Sequence, residues 1–216
     1  MTGLLRNWPL FGVRVRTPRL EIRMPTDDDL PALLDEIVAG VHDPATMPFL
    51  KEWTDVPSPL RERESLQWWW RQRAEWTPAK WSFSGAVFVD GSPIGVQDIA
   101  GTDFSALRSF QTGSWIGLRH QGHGIGKEMR AAILHLGFEG LGGEEAHSGA
   151  WHDNARSLGV SRALGYEPNG QDLVLRRGSP DLQVRLRLTR AKWEAARRDD
   201  IVIEGLEPCL ELFGAA

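Results

Sequence analysis

The sequence predicts an α+β fold in a single domain spanning residues 1–216, and three observations carry this prediction. Segments with the two-residue period of strands and the 3.6-residue period of helices follow one another in the order β-α-α-β-β-β-α-β-α-β-β. An Asp90-Gly91 pair separates two apolar runs, which is typical of a tight β-hairpin. Gly122, Gly124 and Gly126 join a strand-like run to a helix-like run. A chain of this length is sufficient for one sizeable hydrophobic core.

The first half of the chain contains one predicted strand, two helices and the hairpin. Residues 13–23 alternate apolar and charged side chains, which predicts a strand. The next helix begins near Thr26, a capping residue followed by three aspartates, and ends at Gly40. Four prolines within residues 41–59 predict a loop. The patterns then predict a helix at residues 61–76 and hairpin strands at 81–89 and 94–99.

The second half adds a strand at residues 109–118, the glycine turn with a helix to about residue 141, and a strand at 146–150. A helix beginning near Asn154 and strands at 173–176 and 184–188 complete a core of about residues 13–188. Residues 189–216 form an extension with a helix at 189–197 and a strand-like segment at 201–203.

Composition excludes several classes of function. The net charge is −4 and no basic patch stands out, so we expect no nucleic-acid partner. No apolar segment has the length of a signal peptide or a membrane span, and we therefore expect a cytoplasmic protein that does not bind a membrane. Cys209 is the only cysteine, so it cannot form an internal disulfide; we expect it to be packed in the core or to be an exposed bystander.

The glycine turn at residues 122–126 predicts an anion-binding loop, because backbone N–H groups at a helix start can converge on a phosphate. It is not a nucleotide P-loop, since Glu128 stands where that motif needs a hydroxyl for magnesium. It also fails the dinucleotide fingerprint, whose sixth position, counted from Gly122, is Lys127 instead of glycine. A simple tight turn between strand and helix is the alternative.

Gln121, Gly124 and Gly126 resemble motif A of the GNAT family of N-acetyltransferases, Gln/Arg-x-x-Gly-x-Gly/Ala. Residues 154–166, from Asn154 to the Leu-Gly-Tyr ending, resemble the family's motif B. Residues 17–23 resemble the first strand of the RimJ/RimL-like branch, which acetylates ribosomal-protein N-termini. The resemblance implies a GNAT fold: a mixed, mostly antiparallel central sheet with a splayed strand pair and helices on both faces. It also implies direct acyl transfer from acyl-coenzyme A to a primary amine.

In this family the loop holds the coenzyme A pyrophosphate, and the preceding strand pairs with the pantetheine arm. Asn154 matches the family asparagine that hydrogen-bonds the coenzyme arm, and the alternative explanation is that it is a helix N-cap. The resemblance implies acetyl-coenzyme A or another acyl-coenzyme A as the donor, and succinyl-coenzyme A is included because some members of this branch accept it. Lys51, Arg176 and Arg177 could bind its second carboxylate or could equally be solvated. The resemblance assigns coenzyme A binding to Ile116, Gly117, Leu118, Gln121, Gly122, His123, Gly124, Ile125, Gly126, Lys127, Asn154 and Ser157.

The catalytic residues are less directly indicated. Many family members use a tyrosine as the acid that protonates the leaving thiolate, and the matching position here is Ser161, which could relay a proton or be an ordinary helix serine. The only tyrosine, Tyr166, falls at a core position. Residues 109–118 contain no carboxylate or histidine, so the candidate bases are His42, Asp43 and Asp103, although His42 and Asp43 also suit structural roles in a turn.

The acceptor is expected to be a protein N-terminal α-amine or a small-molecule amine. At pH 7 an α-amine is neutral in roughly 10 to 20% of molecules and a lysine amine in about one in 2,500, so a weak base suits the α-amine better. A non-catalytic coenzyme A-binding regulator is the alternative function, because the tyrosine and the strand carboxylate are missing. His120 and His123 are too few for an expected metal site. Trp68 to Trp70 and the extension offer apolar surface, which favours a homodimer.

Overall fold

The computed structural model describes residues 2–216, and its main element is a mixed sheet of nine strands with helices on both faces. The strands are β1 (Arg14–Arg16), β2 (Glu21–Arg23), β3 (Lys80–Val89), β4 (Ser92–Thr102), β5 (Ser109–Ile116), β6 (Glu145–Trp151), β7 (Glu167–Arg176), β8 (Ser179–Thr189) and β9 (Val202–Glu204). The helices are α1 (Thr2–Asn7), α2 (Leu30–Ala39), α3 (Leu60–Ala74), α4 (Phe104–Leu107), α5 (Ile125–His135), α6 (Ala155–Ala163) and α7 (Arg190–Ala196). The predicted α+β class with a mixed sheet is confirmed.

The sheet has the strand order β7-β8-β6-β5-β4-β3-β2-β1-β9, and β5 with β6 forms its one parallel pair over the described residues. That pair has only three residue pairs, from Ser109 with Glu145 to Gln111 with His147. Beyond them, β5 continues on β4 as far as Ile116, and β6 continues on β8 as far as Trp151. The two strands therefore diverge and open a cleft, as the resemblance implied.

The N-terminal strand prediction was wrong in one respect, because residues 13–23 form a hairpin of two strands. Val15 and Ile22 are buried cross-strand partners in β1 and β2. Between the strands, the Thr17 hydroxyl accepts hydrogen bonds from the N–H groups of Arg19 and Leu20 at 3.4 and 3.2 Å. Thr17 followed by a proline of fixed φ thus makes a tight turn, and local turn chemistry overrides the strand pattern.

Helices α2 and α3 cover one face of the sheet, and α5 with the C-terminal residues covers the other. In α2 the N-cap position belongs to Asp29 instead of Thr26, whose N–H and hydroxyl both donate to the Asp29 carboxylate. On α3, Trp69 is buried, whereas Trp70 is 48% exposed. No described helix is both long enough and apolar enough to cross a bilayer.

The extension is part of the main core, which corrects the expectation that it offers spare apolar surface. Strand β9 pairs with β1 at the sheet edge. Trp193, Ile201, Cys209 and Phe213 are all buried. Burial also raises the pKa of Cys209 to about 11, which identifies the single cysteine as a packed, unreactive side chain. The homodimer remains a prediction, and Trp70 is an exposed apolar side chain consistent with it.

We expect Phe213→Ala to destabilise the fold by about 3–5 kcal/mol, because it leaves a cavity in a well-packed core. The Phe213 ring is fully buried against Trp76 and Trp81, with centroids 5.2 and 4.9 Å away. Urea unfolding measures the loss. The matched control is Val202→Ala in exposed β9, which should cost less than about 1 kcal/mol. Equal, small losses in both variants would show that the extension is peripheral.

Candidate functional site

The glycine loop lies at the open end of the cleft, between β5 and α5. Gly122 and Gly124 have φ of 84° and 79°, the left-handed conformation that glycine adopts without strain. Among the described hydrogen bonds, none is donated by the backbone N–H groups of residues 122–127. The Gln121 N–H is not part of this row, because it donates to the Leu118 carbonyl. Consecutive free N–H groups at a helix start form an anion cradle.

The loop is held in place by Gln121, whose side chain is used for this purpose instead of for a ligand. Its Nε2 donates to the carbonyls of Val41 and Ile116 at 2.9 and 3.0 Å. Its Oε1 accepts from Arg156 Nη1 at 2.8 Å. This clip connects β5, α6 and the loop that follows α2, and it presents the neighbouring backbone to the cleft.

Two buried carboxylates support the loop from either side. Glu36 on α2 binds Arg119 and lies so close to Gly117 that a Cβ there would collide with it. Glu128 on α5 accepts from Thr17 and Arg19. Burial alone would raise the pKa of Glu128, but these two donors outweigh it and lower the pKa, so the carboxylate stays ionised.

Asn154 and Ser157 lie at the start of α6, on the other side of the cleft. Asn154 Oδ1 accepts from the Ser157 N–H at 3.1 Å, which confirms the N-cap role. Its Nδ2 group has no partner among the described hydrogen bonds, so a donor remains for a ligand.

Ser161 is completely buried on the inner side of α6. Its hydroxyl donates to the Ser157 carbonyl at 3.1 Å and accepts from Arg130 Nη1 at 3.0 Å. Tyr166 is also buried, and its hydroxyl lies 3.1 Å from the Thr112 hydroxyl. The arginine beside Ser161 was missed by the sequence analysis.

Two of the three predicted base candidates, His42 and Asp43, have structural roles in this geometry, and Asp103 lies away from the glycine loop. His42 Nδ1 faces the Asp43 carbonyl and must carry the proton, while Nε2 accepts from the Thr54 hydroxyl, both at 2.8 Å. The Asp43 carboxylate accepts from the Ala45 N–H and shapes a turn. Asp103 is exposed beyond Thr102, at the end of β4 opposite the glycine loop. The role of these three residues as bases remains a prediction, and none of the described contacts supports it.

Asp98, in the middle of β4, is the carboxylate that sequence reasoning missed. It pairs across the strands with Ser84 on one side and Gly113 on the other, so all three face α2 and α3. Its Oδ1 is buried without a hydrogen-bond partner among the described residues. Burial raises the pKa of Asp98 to about 7, although the Ser84 hydroxyl acts in the opposite direction. A Cβ on Gly113 would meet only Asp98 Oδ2, at 3.7 Å, so the carboxyl borders open space.

An aromatic wall stands next to Asp98 on the same face. Trp115, two residues after Gly113, lies 6.0 Å from Trp53 between ring centroids. Trp53 in turn lies 5.1 Å from Phe49, and Phe49 lies 5.6 Å from His42. The predicted loop of residues 41–59 thus supplies an apolar wall over β5.

Two arginines of the β7–β8 turn clamp this loop. Arg176 donates to the Met47 carbonyl at 2.9 Å and binds the carboxylates of Asp153 and Asp181. Arg177 binds both carboxylate oxygens of Asp55, at 2.8 and 2.7 Å. Because both guanidinium groups already have carboxylate partners, they are not free to hold a second carboxylate of an acyl group.

Several solved structures share this fold. Mycobacterium smegmatis RimJ, solved in complex with CoA-disulfide, has a TM-score of 0.69 at 18% identity, over 88% of this chain and 95% of that one. The RimL ribosomal L7/L12 alpha-N-protein acetyltransferase, solved with coenzyme A, has a TM-score of 0.63 at 14% identity, over 80% and 95%. A chimera of the Vibrio cholerae spermidine N-acetyltransferase SpeG and hSSAT has a TM-score of 0.65 at 15% identity, over 82% and 98%.

At these identities the likeness concerns the fold. The family is shown by the sequence itself, because residues 19–167 match the acetyltransferase (GNAT) domain model. This match spans β2 to the start of β7 and so includes the divergent strands, the glycine loop and the Asn154 helix. The chain belongs to the GNAT family of acetyltransferases.

Proposed function

We propose that this protein transfers an acetyl group from acetyl-coenzyme A directly to a primary amine, with a protein N-terminal α-amine as the favoured acceptor. The row of free N–H groups at residues 122–127, at the open end of the cleft, is the observation that supports it most. Such a row suits the pyrophosphate of acyl-coenzyme A, which this family uses. The pantetheine arm would lie along Ile116 to Ser114 and meet the free Nδ2 group of Asn154.

The nucleotide end of the donor suits a cavity of about 410 Å³ beside Gly124. Its lining combines cationic side chains with an aromatic ring, which matches a phosphorylated nucleoside. Arg19, Lys127, Arg198 and Trp193 contribute to it. Two of these residues belong to the C-terminal extension, which therefore takes part in donor binding under this proposal.

Asp98 is the proposed general base. It lies next to the aromatic wall, on the face of the sheet that carries α2 and α3. Its pKa of about 7 suits a group that accepts a proton near neutral pH. An α-ammonium, with a pKa of about 7.7–8.0, loses its proton to such a base far more readily than a lysine ammonium with a pKa of about 10.4. Asp98 thus favours the α-amine and supports catalysis over the coenzyme A-sensing alternative.

Acetyl is favoured over succinyl because Arg176 and Arg177 are already paired with carboxylates. The direct test supplies acetyl- or succinyl-coenzyme A with peptides that carry either a free N-terminus or only a lysine amine. We expect coenzyme A release with acetyl-coenzyme A and the N-terminal peptide. Tight coenzyme A binding without turnover on any amine would instead support the regulator.

Gly126→Val should weaken acetyl-coenzyme A binding by at least about 30-fold, or roughly 2 kcal/mol, because its side chain would project over the cradle. Gly126 is suited to this test since a Cβ there meets nothing within 4 Å and its φ is not positive, so the fold need not change. Calorimetry measures the affinity. Gly3→Val, also in open space, is the control and should bind normally. Unchanged affinity in Gly126→Val would remove the cradle from the account.

Asp98→Asn should lower kcat/KM by about 10²–10⁴-fold and abolish the rise of kcat/KM near pH 7 that the wild type shows as Asp98 ionises. In the wild type, this rise of kcat/KM should stay near pH 7 when acceptor amines of different pKa are compared. This rise is the acid limb of the pH profile. If the limb follows the pKa of the amine, the base is solvent and not Asp98.

The effect of Asp98→Asn on the stability of the fold can be predicted as well, and it can be measured without an acceptor. Between about pH 4 and pH 7, Asp98 is ionised in the unfolded chain but still protonated in the fold. The folded state therefore binds the extra proton, and the wild type loses stability as the pH rises through this window. We expect Asp98→Asn to gain relative stability across it, measured by urea unfolding at both pH values. A constant difference would mean that the carboxyl is not desolvated.

Arg177→Ala should raise the Michaelis constant of the acceptor and leave acetyl-coenzyme A affinity within about twofold, because it releases only the loop of residues 41–59. Arg185→Ala on the same hairpin is the control, since Arg185 pairs with Asp172 away from that loop. Steady-state kinetics with both substrates varied separates the effects. Equal acceptor constants in both variants would show that the loop does not bind the acceptor.

A further inference from the structure

Arg130 is a buried arginine that lacks a negative partner. It lies on the inner side of α5 and is only 5% exposed. Nη1 donates to Ser161 on α6 at 3.0 Å, and Nη2 donates to Ser114 on β5 at 3.1 Å. Its Nε is buried and has no hydrogen-bond partner in residues 2–216. Two neutral hydroxyls are thus its described hydrogen-bond partners.

A buried guanidinium without an acid is costly, because neutral hydroxyl groups do not replace the hydration of a full charge. The one ionisable group of the described structure that bears on Arg130 is Tyr166. Burial raises the pKa of the Tyr166 phenol, so it remains neutral near pH 7. A ligand in the cleft can supply the negative charge that the described residues do not, and strongly perturbed ionisable groups concentrate at functional sites.

The guanidinium connects the two sides of the cleft. Ser114 belongs to the stretch of β5 that has separated from β6, three residues and therefore about 10 Å before Gly117. Ser161 belongs to α6, which follows β6. The cleft closes two residues before Ser114 on β5, where the Ser148 hydroxyl donates to the Thr112 carbonyl at 3.4 Å. A donor whose pyrophosphate lies on residues 122–127 would extend its sulfur toward this end.

Acyl transfer creates a negative charge on that sulfur. The amine nitrogen attacks the thioester carbonyl carbon, the C–N bond forms, the C–S bond breaks, and the electron pair stays on sulfur while the amine proton passes to Asp98. A serine hydroxyl is a much weaker acid than a thiol, whose pKa is about 8.5. Ser161 therefore cannot supply the thiolate with a stable proton, and its one hydroxyl proton is already donated to the Ser157 carbonyl.

We propose that Arg130 stabilises the coenzyme A thiolate as it leaves, with Ser114 and Ser161 fixing the guanidinium beside it. The positive charge of Arg130 takes the place of the tyrosine acid that many family members carry at the position of Ser161. A thiolate held by a cation need not be protonated before it is released. This inference rests on the proposed function, because it requires coenzyme A in the cleft.

The test is the pKa of the coenzyme A thiol in its binary complex, followed through the ultraviolet absorbance of the thiolate. We expect the bound thiol to titrate at least one unit below the thiol of free coenzyme A measured in the same buffer, whereas an apolar site without a cation would raise its pKa. The protein adds little background, because its single cysteine has a pKa of about 11 and its single tyrosine has a raised pKa.

Three variants separate charge from structure. Arg130→Lys should keep most of the shift, and Arg130→Met should return the thiol pKa to its free value or above. Arg162→Met removes an exposed charge from α6 and should leave the bound thiol pKa unchanged. Binding of S-methyl-coenzyme A, which has no thiol, should stay within about threefold in all three, showing that the cleft is intact.

If Arg130→Met does not fold, the wild-type value alone decides. A wild type that binds coenzyme A with a thiol pKa equal to or above that of free coenzyme A overturns the role of Arg130 and leaves the proposed function standing. A shift that survives in Arg130→Met overturns it as well. A wild type that does not bind coenzyme A overturns the proposed function and this inference together.

Discussion

The divergence of β5 from β6 after Gln111 is the constraint on which the rest of the structure depends. It leaves one edge of β5 without a strand partner, and the Thr112 and Ser148 side chains mark the point where pairing stops. Successive residues of a strand face opposite sides, so Ser114 points toward α5 while Trp115 points toward α2 and α3. Under the proposed function, one strand would therefore serve a donor site on one face and an acceptor site on the other.

Two desolvated ionisable groups without described ion-pair partners lie on these opposite faces, Arg130 on the face of Ser114 and Asp98 on the face of Trp115. Each reduces the stability of the fold, and each would be compensated during the reaction. Asp98 would take the proton of the amine as Arg130 meets the charge that develops on sulfur. Under this proposal Asp98 takes the role of the base that residues 109–118 do not supply. Arg130 takes the role of the tyrosine that Ser161 replaces.

The sequence predicted the architecture well, since its strand and helix periods are local properties. It failed at Pro18, where turn chemistry split a strand, and in the extension, whose burial depends on contacts with distant Trp76 and Trp81. The glycine loop was predictable from spacing alone. Asp98 and Arg130 were not, because their meaning depends on partners from other strands and helices, although Asp98 is a charge within an apolar run.

Amide hydrogen exchange with and without coenzyme A tests the central claim most directly, namely that the free N–H groups of residues 122–127 bind the donor. The account predicts fast exchange of these amides in the free protein and marked protection at saturating coenzyme A. The amides of β9, remote from the cleft, should exchange at the same rate in both states. Saturating coenzyme A that leaves residues 122–127 exchanging as fast as before would contradict the account.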